Sequence, residues 1–215
     1  MDKQQTNETG SLKSFIRNLR VDLVGITDLK LLKGMPMGMP SDFASLLVNY
    51  KYAIVMGAQL GKLGDKAPGK EVSKFLEKAA MDVASFFEEK RYYALPIHTE
   101  DEFDPVNRMG LLSLKVLAKA AGLGWQGRSL LIVSPKYGPV HRLIAVLTNM
   151  DLQPDKPIAN LCGNCSICID KCPTQALTFT EFKDHPKHRE DVLNVQDCLG
   201  DDGCMVCLKA CPWAK

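Results

Sequence analysis

The sequence predicts an α+β protein with an α/β domain over residues 1–152 and a small cysteine-rich domain over residues 153–215. Two observations lead to this division. Helical and strand patterns alternate along the first part, as they do in a sheet covered by helices. All eight cysteines, in contrast, lie from Cys162 onward. The segment Gln153–Pro157, with its two prolines, marks the boundary between the two parts.

Hydrophobic spacing and capping residues predict the elements of the α/β domain. The clearest helix covers about 71–90, where apolar side chains recur every three or four residues from Val72 to Phe87 and form one buried face. Ser11 and Ser41 are candidate N-caps of two shorter helices. The full prediction places helices at about 11–18, 41–49, 71–90 and 111–121, and strands at about 22–28, 52–57, 93–98, 130–133 and 143–148.

Two further segments each allow two interpretations. Gly34–Pro40 carries three methionines between glycines and prolines, which indicates either a turn packed on the core or an adaptable lid over an apolar ligand. The basic run Lys183–Arg189 is predicted to be a solvated loop, with docking of a partner as the alternative.

The cysteines form two sets with similar spacing. The first is C-x2-C-x2-C-x3-C-P, ending at Pro173, and the second is C-x5-C-x2-C-x3-C-P, ending at Pro212. Bacterial ferredoxins that bind two 4Fe-4S clusters have this pattern, and in them the cysteine before proline ligates the other cluster. We therefore assign one cluster to Cys162, Cys165, Cys168 and Cys211, and the other to Cys172, Cys198, Cys204 and Cys207.

Structural zinc and disulfide bonds are the alternatives for these cysteines. Zinc sites usually take their four ligands from two separated pairs, which fits runs of three cysteines poorly. Disulfides require an oxidising compartment, but the polar start MDKQQTNETG contains no apolar signal segment. Since no run approaches the roughly 18 apolar residues of a spanning helix, the sequence predicts a cytoplasmic protein without a membrane partner.

The charge of the chain is nearly balanced, with 27 basic and 25 acidic residues and a net charge of +2. Proteins that bind nucleic acid usually carry a clustered basic surface that contacts phosphates. The composition therefore argues against a nucleic-acid partner.

The glycine-rich stretch Gly122–Gly127 satisfies the pattern G-x-G-x-x-G, but its setting is wrong for a dinucleotide. A dinucleotide loop follows a strand and opens a helix. Here a predicted helix precedes the loop and a predicted strand follows it. We therefore reject NAD binding at this loop.

The same stretch resembles the epoxyqueuosine reductase family, whose members carry an A-G-L-G-W-x-G-K loop, a P-x-x-G turn and a strand ahead of a two-cluster ferredoxin module. The matching segments are AGLGWQGR at Ala121–Arg128, SPKYG at Ser134–Gly138 and LIAVLT at Leu143–Thr148, followed by both cysteine sets.

This resemblance implies a nitroreductase-like α/β fold for the first domain and a bacterial ferredoxin-like fold for the second. It also implies a cobalamin in the first domain that receives electrons from the clusters, as in the similar reductive dehalogenases. The residues that the resemblance assigns to corrinoid contact are Gly122, Gly124, Trp125, Gly127 and Arg128. A tight helix-to-strand connection is the alternative for the glycines, and a core position is the alternative for Trp125.

Two departures from the family pattern argue against reduction of epoxyqueuosine in tRNA. The family has an acidic residue, the presumed proton donor, 14 positions before the first glycine of the loop, where this chain has Arg108. Glu102 and Asp104 are the remaining candidates for a catalytic acid. The C-terminal region with which the family engages tRNA is also expected to be missing after Lys215.

Two functions remain. The first is an oxidoreductase of the epoxyqueuosine reductase type, in which two 4Fe-4S clusters take electrons from a donor such as ferredoxin or flavodoxin and pass them to a corrinoid-dependent site that reduces a small molecule. The alternative is a non-enzymatic electron-transfer or reductive-activation protein that docks a corrinoid partner protein. An enzyme needs a concave pocket beside Gly122–Arg128, whereas a carrier needs only cluster edges near the surface.

Overall fold

The structure is a computed structural model that describes residues 3–33, 43–61, 69–98, 104, 106 and 110–215. Its strands are β1 (Leu23–Asp28), β2 (Tyr52–Gln59), β3 (Ala94–Ile97), β4 (Trp125–Gln126), β5 (Ile132–Val133) and β6 (His141–Thr148). Its α-helices are α1 (Lys3–Asn18), α2 (Phe43–Asn49), α3 (Gly69–Glu89), α4 (Leu114–Ala120), α5 (Ile167–Asp170), α6 (Gly200–Gly203) and α7 (Val206–Lys209), and a 3-10 helix covers Leu29–Leu32.

A four-stranded sheet with the order β1-β2-β6-β3 forms the centre of the N-terminal part, and its neighbouring strands are antiparallel. The central strands β2 and β6 are buried over most of their length, which explains their continuous apolar runs. Strands β4 and β5 form a separate two-stranded antiparallel ribbon. The predicted α+β class is confirmed.

Each face of the central sheet has its own hydrophobic core, because side chains alternate along a strand. In β2, Ala53 and Val55 face one core, which α4 covers. Ile54 and Met56 face the other core, which contains Leu12 and Ile16 of α1 and much of the apolar face of α3. The alternation within β2 therefore places helices on both sides of the sheet.

Helix α1 begins at Lys3, eight residues before the predicted cap at Ser11. Its first turns are held by polar contacts that hydrophobic spacing does not show. The side-chain amide of Gln5 donates to the Leu152 carbonyl at 2.8 Å, and the hydroxyl of Thr9 accepts from the Gln153 N–H at 2.9 Å.

The segment predicted as the domain boundary packs against β1. The N–H of Asp155 donates to the Ile26 carbonyl at 2.8 Å, and the Asp155 carboxylate accepts from the Ile26 N–H at 2.9 Å. Lys13 also forms an ion pair with Asp155 at 2.6 Å. These contacts fix the direction in which the chain enters the cysteine segment.

The cysteine segment contains short helices and one β-bridge, between Leu177 and Leu193. Helices α5 and α7 pack against each other, and Leu177, Val192 and Leu208 are buried. Within the part of the chain that the structure describes, helices of sufficient length and apolar character to cross a membrane do not occur.

Some predictions fall on residues outside the described ranges. The methionine-rich stretch Gly34–Pro40, the candidate N-cap Ser41, the candidate acid Glu102 and the departure at Arg108 belong to this group. The remaining predicted elements match observed ones, with end points that differ by a few residues. The strand predicted at about 130–133 is reduced to the two residues of β5.

Candidate iron-sulfur centre

The ribbon of β4 and β5 brings Trp125 directly against the first cysteine set. Trp125 is fully buried, and its indole Nε1 donates a hydrogen bond to the Sγ of Cys162 at 3.3 Å. Its ring meets that of Trp213 edge to face, with centroids 5.0 Å apart and planes at 80°. Trp125 therefore joins the glycine-rich loop, the first cysteine and the residue after Pro212 in one contact.

Arg128 anchors the same loop to the cysteine segment. Its side chain is 7% exposed, and its guanidinium donates to the Gly163 carbonyl at 2.7 Å and to the Thr180 carbonyl. The guanidinium also lies over the rings of Phe179 and Phe182, 4.9 and 4.8 Å from their centroids. This geometry corresponds to a cation–π interaction on two rings.

The loop glycines allow close approach to the chain itself. Gly122 has a φ of +72°, and a Cβ there would collide with the Lys156 carbonyl oxygen. A Cβ on Gly124 would collide with the carbonyl of Val133, on the facing strand of the ribbon. At Gly127 a Cβ would lie 2.8 Å from Val133 Cγ2 and 3.6 Å from Cys162 Sγ. The predicted role of these glycines as corrinoid contacts stays a prediction.

The cysteine thiols lie close enough to change each other's pKa values. Burial raises the pKa of Cys168 to about 12, and the charges of neighbouring thiols add to the shift: those of Cys162, Cys207, Cys165 and Cys211. Burial likewise raises the pKa of Cys207 to about 11, and the charges of Cys198, Cys204 and Cys172 add to this shift. Since four thiolates in one place repel each other, a bound cation is needed to hold them deprotonated.

These interactions link thiols of the two motifs, which the crossed assignment places in a first group (Cys162, Cys165, Cys168 and Cys211) and a second group (Cys172, Cys198, Cys204 and Cys207). Burial raises the pKa of Cys211, and Cys162 and Cys165 are the thiols that add to that shift. The two groups meet at Cys168 in α5 and Cys207 in α7, because Cys207 also raises the pKa of Cys168. The crossed ligand assignment made from the motif spacing stays a prediction.

A cavity of about 240 Å³ lies among five cysteines, four of the first group and Cys207 of the second. Its lining residues are Arg128, Ser129, Val133, Leu161, Cys162, Cys165, Cys168, Cys207, Cys211, Pro212 and Trp213. Among the described residues, no three His, Cys, Asp or Glu side chains converge on one point as the ligands of a single metal ion do. Five of the residues that line the cavity are cysteines, and thiolates are the ligands that iron-sulfur clusters take.

Backbone amides near each Cys-Pro pair point at sulfur. Burial alone would raise the pKa of Cys172, but hydrogen bonds from the hydroxyl and N–H of Thr174, and from the N–H groups of Ala176 and Leu177, bring it below its usual value. Trp213 and Ala214 provide the corresponding amides for Cys211. Hydrogen bonds of this kind stabilise a ligating thiolate and tune an iron-sulfur cluster.

Sequence reasoning missed two residues that shape this site. The side chain of Asn160 donates to the Gln126 carbonyl and accepts from the Cys162 N–H, both at 2.9 Å. Trp213 lines the cavity and packs on Trp125. Their only signal in the sequence is proximity to cysteines, Asn160 two residues before Cys162 and Trp213 two residues after Cys211.

The basic run is partly fixed to the α/β domain. Lys119 at the end of α4 is buried and forms an ion pair with Asp184, which also contacts His185 at 3.0 Å. Partial burial would raise the pKa of Asp184, but the hydrogen bonds and charges of Lys119 and His185 lower it overall. At least the beginning of Lys183–Arg189 is therefore docked on α4.

Asp104, a candidate catalytic acid, is half-buried, and its carboxylate accepts a hydrogen bond from the Val106 N–H at 2.8 Å. This contact closes a local turn, in which acidic residues are common. Its predicted catalytic role stays a prediction.

Comparison with known proteins agrees with the sequence motifs. Residues 161–215 match the 4Fe-4S dicluster domain family. Over 117 residues, the chain is 35% identical to epoxyqueuosine reductase of Listeria monocytogenes, a stretch that covers 49% of this chain and 31% of that protein. This stretch of the chain is similar to the epoxyqueuosine reductases. It covers less than half the length of the curated relatives it matches here.

Solved structures show the same fold at low sequence identity. An epoxyqueuosine reductase bound to an epoxyqueuosine-modified tRNA-Tyr stem loop has a TM-score of 0.69 and 20% identity, with 97% of this chain and 65% of that chain covered. A reductive dehalogenase, whose structure suggests a mechanism for B12-dependent dehalogenation, also has a TM-score of 0.69 and 20% identity, with 95% of this chain and 31% of that chain covered.

Proposed function

We propose that this protein is an iron-sulfur oxidoreductase in which two 4Fe-4S clusters pass electrons to a site in the N-terminal domain. The observation that carries the proposal is a cavity lined by five cysteines, one of which, Cys162, accepts a hydrogen bond from Trp125 of the β4–β5 ribbon. The electron donor is proposed to be a small redox protein such as ferredoxin or flavodoxin, and the acceptor a small molecule or a partner protein.

The cluster ligands are proposed to be the crossed sets. Cys162, Cys165 and Cys168 with Cys211 hold the cluster beside the cavity, and Cys172 with Cys198, Cys204 and Cys207 hold the second. We place the domain boundary after residue 152 and propose a nitroreductase-like fold for the N-terminal domain. The hydrogen bonds of Asp155 to Ile26 and of Arg128 to Gly163 then connect the two proposed domains.

A 4Fe-4S cluster supplies one-electron transfer at a potential that the protein sets. The chain's own residues hold the thiolates, direct amide hydrogens at them and limit the access of water. Partial burial of Cys168 and Cys207 limits the access of water to their thiols. The resulting low local dielectric strengthens electrostatic contacts within the site.

A corrinoid is the proposed acceptor on the basis of the likeness to the reductive dehalogenases. The glycines at 122 and 124 do not offer an open cradle for it, because the chain's own carbonyl groups occupy the space that a Cβ would take. Trp125 and Arg128 are likewise engaged with the cysteine segment. No step through a corrinoid therefore follows from these residues.

The packing of these glycines favours a second candidate, a non-enzymatic electron-transfer protein that reduces a partner. All eight cysteines are partly exposed, which places both groups near the surface. Such a protein would need no ligand pocket beside Gly122–Arg128.

Anaerobic purification followed by iron and sulfide analysis tests the proposal, with about eight of each expected per chain from two four-iron clusters. Stoichiometric zinc without iron after anaerobic reconstitution would disprove it. Titration of the same protein with cobalamin separates the two candidates: saturable one-to-one binding and reduction by the clusters supports the enzyme, and lack of binding supports the carrier.

A further inference from the structure

We propose that Trp125 and Arg128 raise the reduction potential of the cluster held by Cys162, Cys165, Cys168 and Cys211. This inference rests on the proposed two-cluster function and adds to it a role for the glycine-rich loop. On this view the loop tunes the nearer cluster, and its glycines serve the packing of the chain without a ligand.

The contribution of Trp125 comes from its hydrogen bond. An indole N–H that is fully buried needs an acceptor, and the acceptor here is the Sγ of Cys162, 3.3 Å away. Reduction adds negative charge to a cluster, part of which resides on the sulfur ligands. A donor aimed at that sulfur stabilises the reduced form more than the oxidised form, and so raises the potential.

The contribution of Arg128 comes from its charge. The polar partners of its guanidinium in the described structure are the carbonyl oxygens of Gly163 and Thr180, which are not anions. Its Nε is buried without a hydrogen-bond partner among the described residues. A buried cation is costly unless an anion compensates it, and Arg128 lines the same cavity as four cysteines of the first group.

Both residues are held in place by the packing of the ribbon. Gly124 lets the backbone of Val133 approach Trp125 from the facing strand, where Trp125 pairs with Val133. A Cβ on Gly127 would lie in van der Waals contact with Cys162 Sγ, so the loop passes close to this cysteine. A higher potential at this cluster would favour electron transfer to it from the second cluster, and so toward the N-terminal domain.

Potentiometric titration of the cluster-loaded protein, followed by electron paramagnetic resonance, tests the proposal. Trp125→Phe and Arg128→Met should each move one of the two cluster potentials to a more negative value while iron content stays unchanged. Arg128→Lys, which keeps the charge, should largely retain the potential. Trp213→Phe is the matched control, because it removes an indole from the same aromatic pair without removing the donor to Cys162.

The Trp125→Phe variant could fail to bind the cluster, so a second measurement keeps Trp125 in place. In protein labelled with ¹⁵N at the tryptophan indoles, pulsed electron paramagnetic resonance of the reduced state should show a coupling between ¹⁵N and the cluster. This coupling should persist in Trp213→Phe, where Trp125 carries the label. Unchanged potentials in Trp125→Phe and Arg128→Met with full iron content, or absence of the coupling in Trp213→Phe, would overturn the inference. Failure of the wild-type chain to bind two clusters would instead refute the proposed function.

Discussion

The indole Nε1 of Trp125 donates a hydrogen bond to the Sγ of Cys162 across a distance of 3.3 Å, although 37 positions separate the two residues in the chain. Trp125 belongs to β4 of the two-stranded ribbon, and Cys162 is the first cysteine of the first motif. Asn160 supports the contact, since it bonds both to the Gln126 carbonyl and to the Cys162 N–H. The glycine-rich loop and the cysteine motif thus form one structural unit.

The crossed ligand assignment predicts which pairs of cysteine substitutions act together. If Cys162 and Cys211 ligate one cluster, the double variant Cys162→Ala/Cys211→Ala should keep about four irons, as each single variant does. Cys162→Ala/Cys172→Ala should lose both clusters and bind little iron. Iron analysis after anaerobic reconstitution measures this difference, and the reverse pattern would show that each motif holds its own cluster.

Substitution of Gly124 tests the packing of the ribbon. A methyl group at Gly124 would collide with the Val133 carbonyl, so Gly124→Ala should lower the free energy of unfolding by about 1–3 kcal/mol. Gly10→Ala is the matched control, because Gly10 lies within α1 with open space around its Cβ position. There the change should stabilise the protein by about 0.5–1 kcal/mol.

Anaerobic urea unfolding, followed by circular dichroism and cluster absorbance, measures both glycine variants. Loss of corrinoid binding in Gly124→Ala with unchanged stability would indicate that this glycine faces a ligand instead.

His141 predicts a dependence of stability on pH. Burial lowers the pKa of His141 from its ordinary 6.5 to about 4, with a smaller opposing effect of a hydrogen bond to the backbone of Gly138. Between these values the unfolded chain binds a proton that the folded chain does not, so stability falls as pH falls. By linkage the loss is about 2 kcal/mol between pH 7 and pH 5.

His141→Gln should remove this part of the pH dependence, as measured by urea unfolding at several pH values from 7 to 5. His188→Gln makes the same change at an exposed position and serves as the control. Parallel pH profiles for wild type and His141→Gln would contradict the assigned burial of the neutral imidazole.

We expect no reduction of epoxyqueuosine in tRNA by this chain. The resemblance places Arg108, which lies outside the described residues, at the position of the family's acid, and an arginine cannot donate a proton at neutral pH. A positioned general acid contributes about 10²- to 10⁴-fold to a rate. A net charge of +2 also provides little attraction for a tRNA backbone.

The assay combines the reconstituted protein, cobalamin, a strong reductant and epoxyqueuosine-containing tRNA. Turnover at ordinary enzymatic rates would overturn this expectation. The assay uses this tRNA because an epoxyqueuosine reductase with a similar fold has been solved with such a stem loop. Inactivity that persists in Arg108→Asp would locate the defect in tRNA binding.

The sequence alone determined the features that depend on local spacing. The apolar repeat of α3, the continuous apolar runs of β2 and β6, and the two cysteine motifs all follow from chemistry within a few residues. The likeness to epoxyqueuosine reductases was equally accessible, because it rests on contiguous motifs such as Ala121–Arg128.

Only the tertiary structure decided what those motifs contact. Glycine spacing does not reveal whether the atom approaching Gly124 belongs to a ligand or to the Val133 carbonyl. The early start of α1 depends on hydrogen bonds from Gln5 and to Thr9 that reach more than 140 positions along the chain. The bond from Trp125 to Cys162 likewise exists only because packing of the ribbon closes a long loop, and such contacts leave no periodic trace in a sequence.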